Sequence, residues 1–319
     1  MLFRWLLLAV APALALAADW NPRAAADYLD VRQQEWSAWP AANANAKPCV
    51  SCHGGLTYLL ARPALRRVLN EPKPTAYETG LLESLRGRLP KRAPLDLFPK
   101  ATEPHLSEGA GVESILAAFF LRTPDAFDRM WSLQADSGAF PWFSLNLEPW
   151  EQTSSAYFGA SLAALAAGSS HTPQASRLRA YLVREFDAQP LHHRLMAVWA
   201  GAVPQSARAA ALDELWRKQS PDGGWSLDAL GPWKQQPDAP PVTGSNAYAT
   251  AFAALALEKS GVSDPRLARA LAWLRSHQDP KGYWDAVSMN KRRPPESIPY
   301  GFMRDAATAW ASLALSDAK

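Results

Sequence analysis

Gln134-Ala-Asp-Ser-Gly138-Ala-Phe140, Gln219-Ser-Pro-Asp-Gly223-Gly-Trp225 and Gln278-Asp-Pro-Lys-Gly282-Tyr-Trp284 are three copies of one pattern, Gln-x3-Gly-x-aromatic. Each follows a stretch with helical apolar spacing. In 265–278, Leu267, Ala270, Leu271 and Leu274 share one face, and Arg266, Arg269 and Arg275 take the other. That spacing marks an amphipathic helix with one buried side. Each copy also precedes an Ala/Leu-rich segment, and residues 159–165, 249–255 and 307–313 align on a shared core. These segments are apolar nearly all round, so they are expected to be buried on every side.

The alternation extends along the chain. Amphipathic outer helices read at 22–38, 75–89, 124–134, 173–187, 206–219 and 265–278, and apolar inner helices at 53–69, 108–121, 154–167, 191–202, 245–259 and 303–316. Thr123-Pro124, Thr172-Pro173 and Asp264-Pro265 each set a capping residue before a proline at the first helical position. Strand formers are sparse and alanine is abundant. The expected fold class is all-α, an (α/α)6 toroid of six helical hairpins forming one domain over 19–319.

The Gln-x3-Gly-x-aromatic loops resemble the QW repeats of the squalene–hopene cyclase and protein prenyltransferase superfamily. The resemblance is clear in three of the six hairpins and weaker in the rest. It implies that Gln134, Gln219, Gln278, Phe140, Trp225 and Trp284 brace adjacent helices. The family's chemistry is not expected to carry over. The chain has no Asp-x-Asp-Asp segment for protonating a terpene, and both its cysteines lie outside any prenyltransferase-like zinc set. Terpene cyclase and prenyltransferase activity are therefore not expected.

Arg4 and the apolar run 5–18, closed by small residues before Asp19, read as a signal peptide over 1–18. The run is too short for a comfortable membrane span, and no later segment is long and apolar enough for one. The mature chain is expected to be exported, periplasmic or otherwise, with no stable membrane span. Export changes how the only two cysteines are read. They stand as Cys49-Val50-Ser51-Cys52-His53, and Cys-x-x-Cys-His in an exported chain is the attachment signature of c-type haem. Two thiols add across the porphyrin vinyl groups, and His53 then lies beneath the iron as its proximal ligand. The rival readings are a Cys49–Cys52 redox dithiol and half of a zinc site. With residues 54–319 following the motif, a small cytochrome c domain does not account for the chain. The whole resembles bacterial proteins that join a haem-binding motif to squalene-cyclase-like repeats.

The haem motif falls in the first outer-to-inner connection. All the long Pro- and Trp-rich connections are of this type, so they gather at one end of the barrel, where binding sites usually sit. A sixth iron ligand would come from the same rim. His105 is the first candidate, then His192 or His193, then Met303 or Met289, and an open or water-bound position is the remaining alternative. His171 and His277 are excluded by position. Trp142, Phe143, Trp233, Tyr300 and Phe302 are candidate mouth aromatics, Tyr157 and Tyr248 candidate polar contacts, and Arg92 or Arg292 candidate partners for haem propionates.

With 48% hydrophobic and 20% charged residues the chain is a globular protein. A net charge of +3 and no basic run beyond Lys291-Arg292-Arg293 make nucleic acid a poor partner. Two function classes remain: an electron-transfer cytochrome serving a redox partner protein, and a haem-dependent oxidoreductase acting on a hydrophobic small molecule in the toroid. A haem-based binding or sensor module is the third.

Overall fold

The computed structural model describes residues 20–44, 47–89 and 105–318. Residues 1–18, expected to be a signal peptide, and Arg92 lie outside the described residues. The fold is all-α. Among the described residues the helices are α1 (Pro22–Ala38), α2 (Gly55–Val68), α3 (Ala76–Arg86), α4 (His105–Leu121), α5 (Pro124–Trp131), α6 (Ser155–Ala167), α7 (Pro173–Glu185), α8 (Leu191–Trp199), α9 (Gln205–Arg217), α10 (Ala247–Lys259), α11 (Pro265–Ser276) and α12 (Phe302–Asp317). The strand content is one two-residue ribbon, Asn43–Ala44 against Lys47–Pro48. No described helix is long and apolar enough to cross a membrane.

The two helix types differ as their sequences demand. In α11 the buried residues are Leu267, Ala270, Leu271, Trp273 and Leu274, one stripe of the helix. In α10 every residue from Ala247 to Leu257 is buried. Even-numbered helices pack on one another in the order α4, α6, α8, α10, α12, α2, and each odd-numbered helix lies against an even-numbered neighbour. Proline stands at the first turn of α1, α5, α7 and α11. Asn21, Thr172 and Asp264 cap the following helices with their side chains, whereas Thr123 makes no such bond.

The three repeat loops perform one task three times. Gln134 Nε2 donates to the carbonyl of Gln174, Gln219 Nε2 to that of Arg266, and Gln278 Nε2 to that of Asn21, each at 3.0 Å. The same amide closes its own loop by donating to the carbonyl of Gly138, Gly223 or Gly282. Each glutamine thus ties its loop to the start of another outer helix. The glycines have φ of +93°, +99° and +95°, a backbone that L side chains rarely adopt. Trp225 and Trp284 are fully buried and donate their indole N–H to the carbonyls of Leu215 and Leu274. Their backbone N–H groups are received by Thr250 and Thr308 Oγ1. Phe140 has no N–H to offer, and Ala160 stands where those threonines do in the alignment.

Large aromatic side chains pack between the inner helices. Trp199 of α8 and Trp310 of α12 meet edge to face with centroids 6.2 Å apart, and Phe252 of α10 lies 5.9 Å from Trp310. Free space remains at the end that carries the long connections.

Candidate functional site

Cys49 to His53 descend from the end of α1 into the first turn of α2. The entry is pinned at several points. Trp36 Nε1 donates to the Cys49 carbonyl at 2.8 Å, and the Cys49 N–H donates to the Ala42 carbonyl at 2.8 Å. Ser51 Oγ receives the backbone N–H groups of Gly54 and Gly55 at 3.0 and 3.1 Å, satisfying donors that a helix start leaves unpaired. Thr57 Oγ1 donates to the His53 carbonyl at 3.0 Å. A Cβ at Gly55 would come within 3.0 Å of Val50, so glycine lets the chain turn tightly there.

Both thiols are free, and Cys52 is buried. They line one cavity of about 190 Å³, together with His53, Trp36, Glu113, Phe143 and Glu151. His53 and Glu151 also border a second cavity of about 80 Å³, walled by Trp150, Arg293, Phe302 and Met303. The imidazole is held between aromatic rings. Phe302 stacks on it at 3.8 Å, Trp36 meets it edge-on at 5.4 Å, and Trp150 lies at 6.2 Å. His53 Nδ1 is buried with no hydrogen-bond partner.

Burial dominates the electrostatics. It pushes the Cys49 thiol up to about 12 and Cys52 well above its ordinary value. It lowers His53 to about 3, with Arg293 and Arg32 adding repulsion. Glu113 and Glu151 are raised to about 7 by burial, against the pull of Arg88 on Glu113 and of Arg293 on Glu151. Arg88 Nη1 pairs with Glu113 Oε1 at 3.3 Å.

The last inner helix completes the wall. Arg32 grips Asp305 with Nε and Nη2 at 2.8 and 2.9 Å, Nη2 also donates to the Ile298 carbonyl, and Tyr28 donates to Asp305 at 2.8 Å. This buried cluster fixes the start of α12, and with it Phe302 and Met303, against α1. A Cβ at Gly301 would lie 2.5 Å from Arg32 Nη2. Three long connections are knitted above the site. The Glu148 N–H donates to Asn290 Oδ1 and Asn290 Nδ2 donates to the Glu148 carbonyl, both at 2.7 Å, while the Lys234 N–H donates to Glu148 Oε1 at 3.1 Å.

Of the sequence-predicted residues, Cys49, Cys52, His53, Met303, Phe143 and Phe302 come together here. The others fall elsewhere. His105 opens α4 with its Nδ1 against Glu108 Oε2 at 2.8 Å. His192 and His193 are both fully buried among aromatic rings. Met289 is fully buried and borders neither cavity. Tyr157 bonds the Leu182 carbonyl, Trp142 the Trp150 carbonyl and Trp233 the Leu227 carbonyl. Tyr300 lies beneath the Arg304 guanidinium. Arg292 is exposed, and its neighbour Arg293 faces the site instead. Sequence reasoning passed over Glu113, Glu151 and Arg293, for which a single chain offers no spacing signal. Trp36 was visible only as an apolar position of the first outer helix.

Comparison with known proteins adds no assignment: no family model and no curated protein matches the chain.

Proposed function

We propose that this chain is an exported c-type haem protein with a redox role, with one haem bound covalently by Cys49 and Cys52 and ligated by His53. The observation that carries this is the convergence of both cysteines and His53 on one cavity, with a buried, unpartnered imidazole nitrogen. The donor set fits the group. The thiols are free and two residues apart, and burial keeps His53 neutral, the form in which imidazole binds a metal. Among the described residues no three His, Cys, Asp or Glu are grouped to hold a bare ion, which weakens the zinc alternative. Each cavity is below the roughly 300–1,000 Å³ of small-molecule sites. A tetrapyrrole is larger than either cavity and would have to draw on both, which share His53 and Glu151.

Bound haem supplies a one-electron couple at iron. The chain's own residues set its surroundings. Trp36, Phe143 and Trp150 exclude water, which tunes the potential through the local dielectric. Arg293 offers a cation for a carboxylate. Met303 is the sixth-ligand candidate that shares a cavity with His53, so we favour it over His105, His192, His193 and Met289.

The six hairpins are read as a closed (α/α)6 toroid. The packing order of the inner helices and the Gln278–Asn21 junction support this. The aromatic packing of Trp199, Phe252 and Trp310 among the inner helices favours redox exchange with a partner protein over catalysis on a hydrophobic molecule held there.

The test is expression in a host with haem-maturation machinery, followed by denaturing gels stained for haem. A stained band lost in Cys49→Ala/Cys52→Ala is expected, and an unstained parent band would refute covalent haem. In the stained protein, Met303→Leu is expected to change a low-spin spectrum to high-spin. His105→Ala is expected to leave it unchanged.

A further inference from the structure

Behind Trp150, on the lumen side of the site, lies a buried polar chain that the haem reading does not use. Tyr248, His192 and His193 are all fully buried. The Tyr248 oxygen lies 2.8 Å from His192 Nε2, and His192 Nδ1 lies 3.1 Å from His193 Nδ1. His193 Nε2 is buried without a partner. Proton positions follow from the inventory of donors and acceptors. The indole N–H groups of Trp150 and Trp310 are near the Tyr248 oxygen but make no hydrogen bond, and indoles only donate, so neither can receive the phenolic proton. The phenol must therefore send its own proton to His192 Nε2. His192 then carries its proton on Nδ1 and donates to His193 Nδ1, which leaves His193 Nε2–H as the orphan.

The rings also connect this chain to the candidate site. His53 and Trp150 have centroids 6.2 Å apart, and Trp150 and Tyr248 5.6 Å apart. Beyond Tyr248, Trp310 leads to Trp199 at 6.2 Å, and Trp199 is half-buried at the C-terminal end of α8, opposite the long connections.

We propose that Tyr248 is a redox-active tyrosine: it gives one electron through Trp150 to an oxidised haem at His53 and its phenolic proton to His192 Nε2. Resting on the haem reading, this names hydrogen peroxide as the co-reactant, which would have to displace Met303 from the haem. One peroxide takes up two electrons and two solvent protons, its O–O bond breaks, and two waters leave. One electron comes from the haem group and the other from Tyr248. The tyrosine becomes a neutral phenoxyl radical as its O–H bond breaks and an N–H bond forms on His192. An external one-electron donor acting by way of Trp199 restores the tyrosine, its proton returning from His192, and a second such electron restores the haem. Burial favours the uncharged phenol and lowers both imidazoles, His193 to about 3. At rest the proton therefore stays on Tyr248, and the base is unprotonated and ready.

The full chain, first shown by gel staining to carry haem, is mixed with hydrogen peroxide and frozen for electron paramagnetic resonance. A tyrosyl signal is expected that Tyr248→Phe abolishes, although seven other tyrosines remain. Ferrocyanide as donor should quench it. His192→Phe keeps the ring and removes the base, so radical formation should slow by on the order of 10²-fold and lose its solvent deuterium effect. Circular dichroism checks that both variants fold. If either does not, Trp150→Leu, which breaks the ring contact, is expected to lower the radical yield in its place. A tyrosyl signal that survives in Tyr248→Phe, or haem-bearing protein that gives none, overturns the proposal and leaves the haem reading standing. Should the chain carry no haem, the haem reading fails. Flash-generated ruthenium(III) polypyridyl then replaces peroxide, and absence of a Tyr248-dependent radical there overturns the tyrosine proposal separately.

Discussion

Gln278 and Asn21, 257 positions apart, bond each other in both directions: Gln278 Nε2 donates to the Asn21 carbonyl at 3.0 Å, and the Asn21 N–H donates to Gln278 Oε1 at 2.6 Å. The two earlier repeats tie outer helices in sequence order. This third copy ties the last outer helix, α11, to the first, α1.

Gln278→Ala is expected to cost about 1–3 kcal/mol, because it leaves polar groups unpaired. Chemical denaturation measures the loss, and limited proteolysis should show α1 released first. Gln134→Ala, which touches neither α1 nor the site, should lower stability without exposing α1.

Gly282→Ala places a Cβ 2.1 Å from the Ala24 carbonyl oxygen on a backbone with φ of +95°. Strain and clash together should cost about 2–6 kcal/mol. Gly261 also has positive φ, +68°, but opens onto free space, so Gly261→Ala should cost only about 1–2 kcal/mol. Thermal melting of the two variants separates clash from backbone strain.

Asp305→Ala removes the carboxylate that Arg32 grips and should destabilise by about 3–5 kcal/mol, the cost of orphaning a buried charge. The double variant Arg32→Met/Asp305→Ala is expected to regain most of that. Failure of the double variant to recover would show that the ion pair itself, and not its disruption, carries the stability.

Glu258 is pushed up to about 7 by burial, with Asp317 adding to the rise, and its Oε2 has no partner. A carboxyl that holds its proton more tightly folded than unfolded loses stability as pH rises between the two values. Relative to the parent, Glu258→Gln should therefore gain stability from about pH 4.3 up to about 7 and no further. The group is partly open to solvent, so the gain is on the order of 1 kcal/mol. The comparison must be made between the two proteins. The buried histidines, lowered to about 3 at His53 and His193, pull the parent's own pH profile the opposite way.

Helix position was legible because period and caps agree. The expected ends lie within three residues of those observed, and the largest overruns, at α3, α5 and α8, are helices that finish in short turns. Residues 132–134, read as helix, form such a turn. The cysteines and His53 were legible as a motif. Their surroundings were not, since long-loop geometry chooses between Arg292 and Arg293 where no periodicity exists. Consecutive positions of a helix point in different directions, which favours one of His192 and His193 facing away. Instead, Phe158 of α6, Phe252 and Tyr248 of α10, and Trp233 close around them, so neither finds solvent.

The walls of the site come from segments far apart in the chain: Trp36 to His53, Glu113 to Glu151, and Pro299 to Met303. During synthesis the segment bearing the thiols therefore exists long before its lid. Phe302 and Met303 arrive with the final hairpin, and the contacts that seat them, such as Arg32 with Asp305 across 273 positions, are of the non-local kind that forms slowly. Cys49 and Cys52 thus have an interval of open access that lasts until those contacts form. Covalent attachment at the thiols, as proposed above, would fall most readily in that interval.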